Sequence, residues 1–248
     1  MNNQATVSVR PTPATKVIGV PNSHDAIRRW LSLHEPCKIL DAPAGEGILA
    51  AYLLERGWEV HCADIDAGNF KLDRQKIEFK AADLNRELPY EDESFDIVAC
   101  VNGLHRLYNP GGAVSEFHRV LRPGGTLLIN VNNYASLAQR LRFLLFGSLS
   151  NTSPAQQTIA APEAHIRQAL MFPQIATAIE ATGLQLIGVR PAAPRALHRF
   201  LTPIGWLVRV AGRVAGHANR SNLFLKFTNS HSILTAGSYL LIEARKPA

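Results

Sequence analysis

The stretch from Lys38 to Ala50 constrains the fold more than any other part of the chain. It reads as a short apolar strand that ends on Asp41, then a loop of small residues, then the first turns of a helix. Gly45 and Gly47 allow the loop to adopt positive φ and let the backbone approach a ligand closely. The first N–H groups of the helix are unpaired and carry a partial positive charge. The stretch therefore indicates a site for a polar or anionic ligand, often nucleotide-like. A dinucleotide-binding fingerprint and an ordinary tight turn are alternative interpretations of the same residues.

Short apolar runs alternate with helical patterns over most of the chain. The run Phe95–Val101 is typical of a strand that is buried on both faces in a parallel sheet. Such alternation predicts βαβ units, and hence an α/β fold that binds ligands at the carboxyl ends of its strands. The strands are expected at about 37–41, 59–64, 77–80, 95–101, 126–131, 184–189 and 238–244.

Composition and charge narrow the classes of protein. The 248 residues, 46% of them hydrophobic, suit one large globular domain. Cys37, Cys62 and Cys100 have no paired spacing, so we expect buried free thiols in a reducing compartment and no metal site. Neither a signal peptide nor a membrane-spanning run is evident, which favours a cytoplasmic protein. Residues 1–133 carry 14 basic and 17 acidic side chains, whereas residues 134–248 carry 12 and 3, so the second half either faces an anionic partner or tolerates a cationic surface.

Four features fall in order along the first half. They are Asp41 with Gly45 and Gly47, Asp64 at the end of the second strand, Asp83-Leu84 after the third, and Phe95-Asp96-Ile97-Val98 followed by the run Arg119–Gly125. Together they resemble the class I S-adenosylmethionine-dependent methyltransferases over residues 36–132, and in particular the small-molecule branch known as methyltransferase type 11. More weakly, His165-Ile166-Arg167 and the closing strand resemble bacterial members linked to the cell envelope and glycolipids.

The resemblance implies a fold and a cofactor. The fold is a Rossmann-like, doubly wound, mostly parallel seven-stranded sheet with an antiparallel last strand and helices on both faces. The cofactor is S-adenosyl-L-methionine, and the reaction is methyl transfer. The chain would divide into a flexible tail at 1–20, a cofactor-binding core at 21–133 and a C-terminal half at 134–248. Within that half, segments 134–172 and 191–234 would cover the methyl acceptor.

The resemblance also implies roles for single residues. Asp41 would order the loop and meet the ammonium group, while Asp64 would accept hydrogen bonds from both ribose hydroxyls. Asp83 would meet the adenine amino group, although an Asx-type turn is an alternative. The cofactor-binding set expected from the resemblance is Asp41, Ala42, Gly45, Gly47, Asp64, Ile65, Asp83, Leu84, Val101 and Asn102.

Two positions depart from the family pattern. Pro43 stands where the first glycine of the loop is usual, and this removes one backbone N–H donor. His105 and Arg106 stand where related enzymes often have a Glu-His pair, so the histidine is one position early. His105 is the candidate general base because a neutral imidazole titrates near working pH. A purely structural histidine is the alternative.

The segment 197–220 is basic and amphipathic, with Trp206 among apolar residues and Arg209 four positions before Arg213. It predicts peripheral contact with an anionic membrane, at the inner face, or a clamp on a phosphorylated lipid. A helix packed on the core is the alternative. We therefore expect a small or lipid-linked acceptor, methylated on O or N rather than on C.

Other functions remain open from the sequence. An NAD(P)-dependent oxidoreductase is disfavoured because Asp41 precedes the glycines and no Tyr-x-x-x-Lys motif occurs. Nucleic-acid methylation is disfavoured because the chain has no Asn-Pro-Pro-Tyr motif and no appended RNA-binding module. A protein that has lost catalysis, and that serves as a cofactor-binding or membrane-docked scaffold, is the non-enzymatic alternative.

Overall fold

A computed structural model of the chain describes residues 23–149, 168–192, 202–215, 230–235 and 237–248. The predicted tail at 1–20 and the motif at 165–167 lie outside these ranges. The strands are β1 Lys38–Asp41, β2 Glu59–Asp64, β3 Glu78–Ala81, β4 Phe95–Val101, β5 Leu121–Asn132, β6 Gln185–Pro191 and β7 Tyr239–Arg245. The helices are α1 Ser23–Leu31, α2 Ile48–Leu54, α3 Pro110–Val120, α4 Leu137–Phe146, α5 Phe172–Ala181, α6 Thr202–Ala215 and α7 His231–Leu234.

The seven strands form one sheet in the order β3-β2-β1-β4-β5-β7-β6. Strands β1 to β5 pair in parallel, and β7 runs antiparallel to both β5 and β6. This confirms the predicted mostly parallel sheet with its antiparallel last strand. The chain moves outward from β1 to β3 and then crosses to the other side of β1. The crevice between β1 and β4 is therefore the switch point, where ligands bind in doubly wound sheets.

Alternate residues of the central strands supply two separate cores. Along β4, Val98 and Cys100 point to the side covered by α3 and α5, where Phe117 is fully buried. Ile97 and Val101 point to the side covered by α1 and α2. Helices thus cover both faces, as predicted, and the polar ends of the strands are left as the place for a site.

The motif Arg119–Gly125 has a structural role. Arg119 donates hydrogen bonds to Glu116 and Asp92 and to the carbonyl oxygens of Leu88 and Tyr90, and these carboxylates raise its pKa further. Arg122 bonds to Asp96, whose other oxygen accepts the N–H of Lys38. The motif therefore ties the segment before β4 to the end of α3 and the start of β1. It contributes to the fold rather than to ligand contact.

Three details differ from the sequence-based expectations. The sequence predicts a helix at about 112–121, but α3 begins at Pro110, because the Asn109 side chain caps it by accepting the N–H of Gly112. Strand β5 already pairs with β4 at Leu121, before the Pro-Gly-Gly turn. Two of the three cysteines, Cys62 and Cys100, are buried free thiols as predicted, but Cys37 is only half-buried.

Candidate functional site

The loop after β1 is anchored to the strands on both of its sides. The N–H of Ala42 donates to Ala99 O on β4 (2.9 Å), and the N–H of Ala44 donates to Ala63 O on β2 (2.9 Å). The N–H of Gly45 donates to Oδ2 of Asp64 (2.7 Å). Gly45 and Gly47 have φ of 54° and 85°, in the left-handed region that the sequence predicted for them. The loop is thus fixed at the switch point by bonds that need no ligand.

Asp64 lies at the end of β2 and is buried. Besides the bond from Gly45, its Oδ1 accepts the N–H of Asp66 (2.9 Å). Each carboxylate oxygen has two acceptor positions, so both oxygens retain capacity for a further donor. The exposed side chain of Ile65, 70% accessible, follows directly and gives the same edge an apolar surface.

Asp41 is the most unusual titratable group at this edge, since only 1% of its surface is exposed. Burial and the neighbouring Asp64 carboxylate raise the pKa of Asp41 to about 8, although a hydrogen bond from the Ala50 N–H opposes the shift. Among the described residues, its Oδ2 has no hydrogen-bond partner. A buried acceptor of this kind is rare in a folded chain unless a ligand or water completes it.

The end of β4 closes the crevice on its second side. Asn102 follows Val101 with φ of 52°, and its N–H donates to Asn130 O on β5 (3.0 Å). The Oδ1 atom of Asn102 is buried without a partner in the described part of the chain. The next residue, Gly103, packs against the ring of Pro43 so closely that a Cβ there would overlap Cδ and Cγ of the ring. The proline that departs from the family pattern therefore joins the two loops at the switch point.

Asp83 and Leu84 lie after β3, further along the same edge. Oδ1 of Asp83 accepts both the N–H and the side-chain amide of Asn85 (2.9 and 2.8 Å), which is the Asx-type turn weighed as the alternative. Its Oδ2 lies 3.6 Å from the Arg86 guanidinium. Asp83 is only half-buried, whereas Leu84 is buried.

His105 lies in a short 3-10 turn, Leu104–Arg106, beyond the end of β4. It is buried, with 6% of its surface exposed, whereas Arg106 is exposed. The turn is held by Gln168, whose N–H donates to His105 O and whose side chain donates to Leu107 O. The structure thus places His105 near the crevice but inside the packing, and its role as a base stays a prediction.

The sequence analysis did not single out Asn130. This residue is fully buried in β5 beside Val101, and neither atom of its carboxamide has a partner among the described residues. The signal was present, because Asn130 interrupts the apolar run Leu127-Leu128-Ile129. Its position makes it a further polar group at the same edge.

The described residues include no group of three or more His, Cys, Asp and Glu side chains that could hold a metal ion. None of the described helices is both long enough and apolar enough to cross a membrane.

Comparisons with known proteins agree with this geometry. Residues 40–129 match the family of the methyltransferase domain. A demethylmenaquinone methyltransferase of Clavibacter sepedonicus is 37% identical over 98 residues, which cover 37% of this chain and 40% of that protein. The ubiquinone/menaquinone biosynthesis C-methyltransferase UbiE of Dinoroseobacter shibae is 31% identical over 115 residues, 42% of this chain and 46% of that protein. The chain thus matches less than half the length of these relatives.

A solved structure extends the likeness beyond that stretch. The 1,6-didemethyltoxoflavin-N1-methyltransferase of Burkholderia thailandensis, crystallised with S-adenosylhomocysteine, superposes with a TM-score of 0.53 at 17% identity. The superposition covers 92% of this chain and 79% of that one. At this identity the likeness concerns the fold. Residues 40–129 thus resemble the methyltransferase domain, and the sheet as a whole has the fold of solved methyltransferase structures.

Proposed function

We propose that this chain binds S-adenosylmethionine at the switch point and transfers its methyl group to a small-molecule acceptor. The observation that carries the proposal is the unpaired Oδ2 of Asp41, buried where β1 and β4 diverge. A buried carboxylate needs a donor, preferably a charged one. The ammonium group of the cofactor is such a donor.

The neighbouring groups fit the rest of the cofactor. Asp64 has acceptor capacity left on both oxygens for the two ribose hydroxyls. Ile65 offers an exposed apolar side chain next to it for a flat base. Asp83 and the Leu84 backbone lie further along the edge, where the adenine amino group would reach, and Val101 with Asn102 border the position of the sulfonium.

When bound, S-adenosylmethionine supplies an electrophilic methyl carbon on a positively charged sulfur. The residues of this chain would hold the acceptor atom in line with that carbon and keep water out. An acceptor O–H, N–H or C–H must also lose its proton, and His105 is the candidate to receive it. His105 is buried inside a fixed turn. An acceptor that is already acidic would lose its proton more easily and would need less help from His105.

The names of the relatives indicate the chemical class of the methyl acceptor. The relatives named above act on quinone precursors, and one of them is named as a C-methyltransferase. We therefore propose an aromatic or quinone-like small molecule, with carbon as eligible as the oxygen or nitrogen favoured by the sequence. Segments 134–172 and 191–234 would cover it, and residues 21–133 would form the cofactor-binding core.

A lipid-linked acceptor would fit a cytoplasmic protein with peripheral contact at the inner face of the membrane. We place that contact in segment 197–220, of which residues 202–215 are described. In α6 the side chains of Trp206 and Leu207 are 63% and 59% exposed. They support such a contact, and they do not favour the alternative of a helix packed on the core.

A calorimetric titration tests the cofactor assignment. S-adenosylmethionine should bind the purified protein, and NADH should not. Asp64→Ala should weaken binding about 100-fold or more, because two hydrogen bonds to a charged acceptor are lost. The control is Asp66→Ala, which removes a carboxylate from the same loop and keeps the backbone N–H that bonds to Asp64. Urea unfolding of both variants shows whether either has lost its fold.

Two results would change the interpretation. If NADH bound and S-adenosylmethionine did not, the oxidoreductase alternative would replace the proposal. If the cofactor bound but no labelled methyl group reached any quinone, phenol or lipid-linked acceptor, the chain would be a cofactor-binding scaffold.

A further inference from the structure

Helix α4 carries apolar side chains around most of its circumference, with Gln139, Arg140 and Arg142 between them, and most of these apolar side chains are exposed. Only Leu137, in the first turn, is buried. The exposed fractions of Leu141, Phe143, Leu144, Leu145 and Phe146 are 56%, 57%, 80%, 63% and 70%. A helix that is hydrophobic all round is normally covered by protein or by lipid. The exposed part of α4 therefore indicates an outside partner.

Helix α6 extends this surface. A Cβ placed on Gly205 would lie 3.7 Å from Cδ1 of Leu137, so the inner side of α6 meets the first turn of α4. Successive residues of a helix are rotated by about 100°, and Trp206, Leu207 and Val210 fall on the opposite side, where all three are exposed. Both helices thus carry exposed apolar side chains, and we name these residues of α4 and α6 together the α4–α6 surface.

The charges of the α4–α6 surface are all of one sign. Each helix contains two arginines, Arg140 and Arg142 in α4 and Arg209 and Arg213 in α6, and neither contains an aspartate or glutamate. Arg142 and Arg209 are exposed beside the apolar side chains. Apolar side chains that penetrate a bilayer, with arginines at the level of the headgroups, are the pattern of helices that lie in a membrane interface.

We propose that the α4–α6 surface docks this protein onto a bilayer that contains anionic phospholipid. A second copy of the chain is a poorer occupant, because a two-fold contact would bring like-charged helices together. Strand β5 ends at Asn132 and α4 begins at Leu137, so the docked surface adjoins the carboxyl edge of the sheet. The docking deepens the proposed function. It rests on that function only for its purpose, which is to let a lipid-soluble acceptor enter the site directly from the bilayer.

Vesicle sedimentation with the full-length chain tests the docking. We expect binding to vesicles of phosphatidylcholine that contain roughly 30–40% phosphatidylglycerol as the anionic lipid. We expect much weaker binding to vesicles of pure phosphatidylcholine. Leu144→Ser should reduce the bound fraction about fivefold or more. Its matched control is Leu33→Ser, since Leu33 at the end of α1 is also 80% exposed. Arg142→Gln should weaken binding to anionic vesicles, whereas Lys76→Gln, at a side chain 79% exposed elsewhere, should not.

Trp206 provides a second readout. The other two tryptophans, Trp30 and Trp58, are each only 5% exposed. The emission should therefore shift to shorter wavelength when vesicles bind, and Trp206→Phe should abolish the shift.

Three results would overturn the docking. They are equal binding to neutral and anionic vesicles, an equal loss in Leu144→Ser and Leu33→Ser, and a dimer in ultracentrifugation that Leu144→Ser converts to a monomer. The last result would assign the surface to a second copy. Titration of the same variants with S-adenosylmethionine separates the two proposals. Intact cofactor binding without vesicle binding refutes only the docking, and the reverse result refutes only the methyltransferase proposal.

Discussion

The carboxyl edge around β1, β2 and β4 and the α4–α6 surface lie at the same end of the sheet, yet their polar groups are arranged in opposite ways. At the edge, charged groups are buried and bonded within the chain, as Asp64 is to two backbone N–H groups. On the α4–α6 surface, large apolar side chains and arginines face outward together. The first region is organised before any ligand arrives, whereas the second is left exposed by the described residues.

The two regions restrict their partners in different ways. A preformed site restricts its ligand by geometry. The unpaired Oδ2 of Asp41, for example, favours a ligand with a hydrogen-bond donor at that point. An exposed apolar surface restricts its partner only by area and charge. The cofactor therefore follows from a few atoms, while the acceptor and the bilayer follow from the sum of many side chains.

The largest expected effect concerns the contact between the two loops of the edge. Gly103→Ala should lower the free energy of unfolding by about 3 kcal/mol, because its Cβ would overlap the rigid Pro43 ring. Gly111→Ala is the control, since a Cβ there meets nothing within 4 Å and lies in helix α3. We expect it to leave stability unchanged or raise it by up to about 1 kcal/mol. Urea unfolding measures both, and an equal cost would mean that the loops are not fixed by this contact.

The next effect concerns the protonation of Asp41. Its pKa is about 8 in the folded chain and about 3.9 in an unfolded one, so the folded state binds the extra proton between these values. The stability due to Asp41 is complete below pH 4 and is lost as the pH rises through 8, by at most about 1.4 kcal/mol per pH unit. Asp41→Asn cannot titrate and should flatten this part of the pH profile, which unfolding between pH 5 and 8 would reveal. Asp66→Asn should leave the slope unchanged.

Cofactor binding should reverse that protonation. An ammonium group beside Asp41 favours the carboxylate and lowers its pKa, so binding at pH 7 should release up to about one proton. Calorimetry in buffers with different ionisation enthalpies counts this proton. Release that persists in Asp41→Asn would show that another group is the one that meets the ammonium.

The sequence predicted much of the edge because its signals are local. A strand that ends on Asp41, glycines at 45 and 47 and an acid at the end of β2 are local features of the sequence, and the structure places all of them at the carboxyl edge of the sheet. The contact between Gly103 and Pro43 joins residues that are far apart in sequence, so no local pattern could reveal it. The sequence shows Asn130 as a polar residue in an apolar strand. Only the structure shows that its side chain is buried without a hydrogen-bond partner among the described residues.

The α4–α6 surface shows the opposite limit of sequence reasoning. Leu137, Leu141 and Leu144 recur at helical spacing and therefore share one face of α4. In the structure only Leu137 is buried, whereas Leu141 and Leu144 are 56% and 80% exposed. Helical periodicity gives the faces of a helix, but it does not give the direction in which the helix leaves the sheet.

The smallest expected effect tests that exposure directly. Phe143→Ala in α4 should change the free energy of unfolding by less than about 0.5 kcal/mol, since Phe143 is 57% exposed. The same substitution at the fully buried Phe117 in α3 should cost about 3–5 kcal/mol. Urea unfolding without vesicles measures both variants. If Phe143→Ala cost more than about 2 kcal/mol, α4 would be covered by the chain itself in solution, and the α4–α6 surface would not be available to a bilayer. A negligible cost for stability together with a large loss of vesicle binding would instead assign Phe143 to the docking alone.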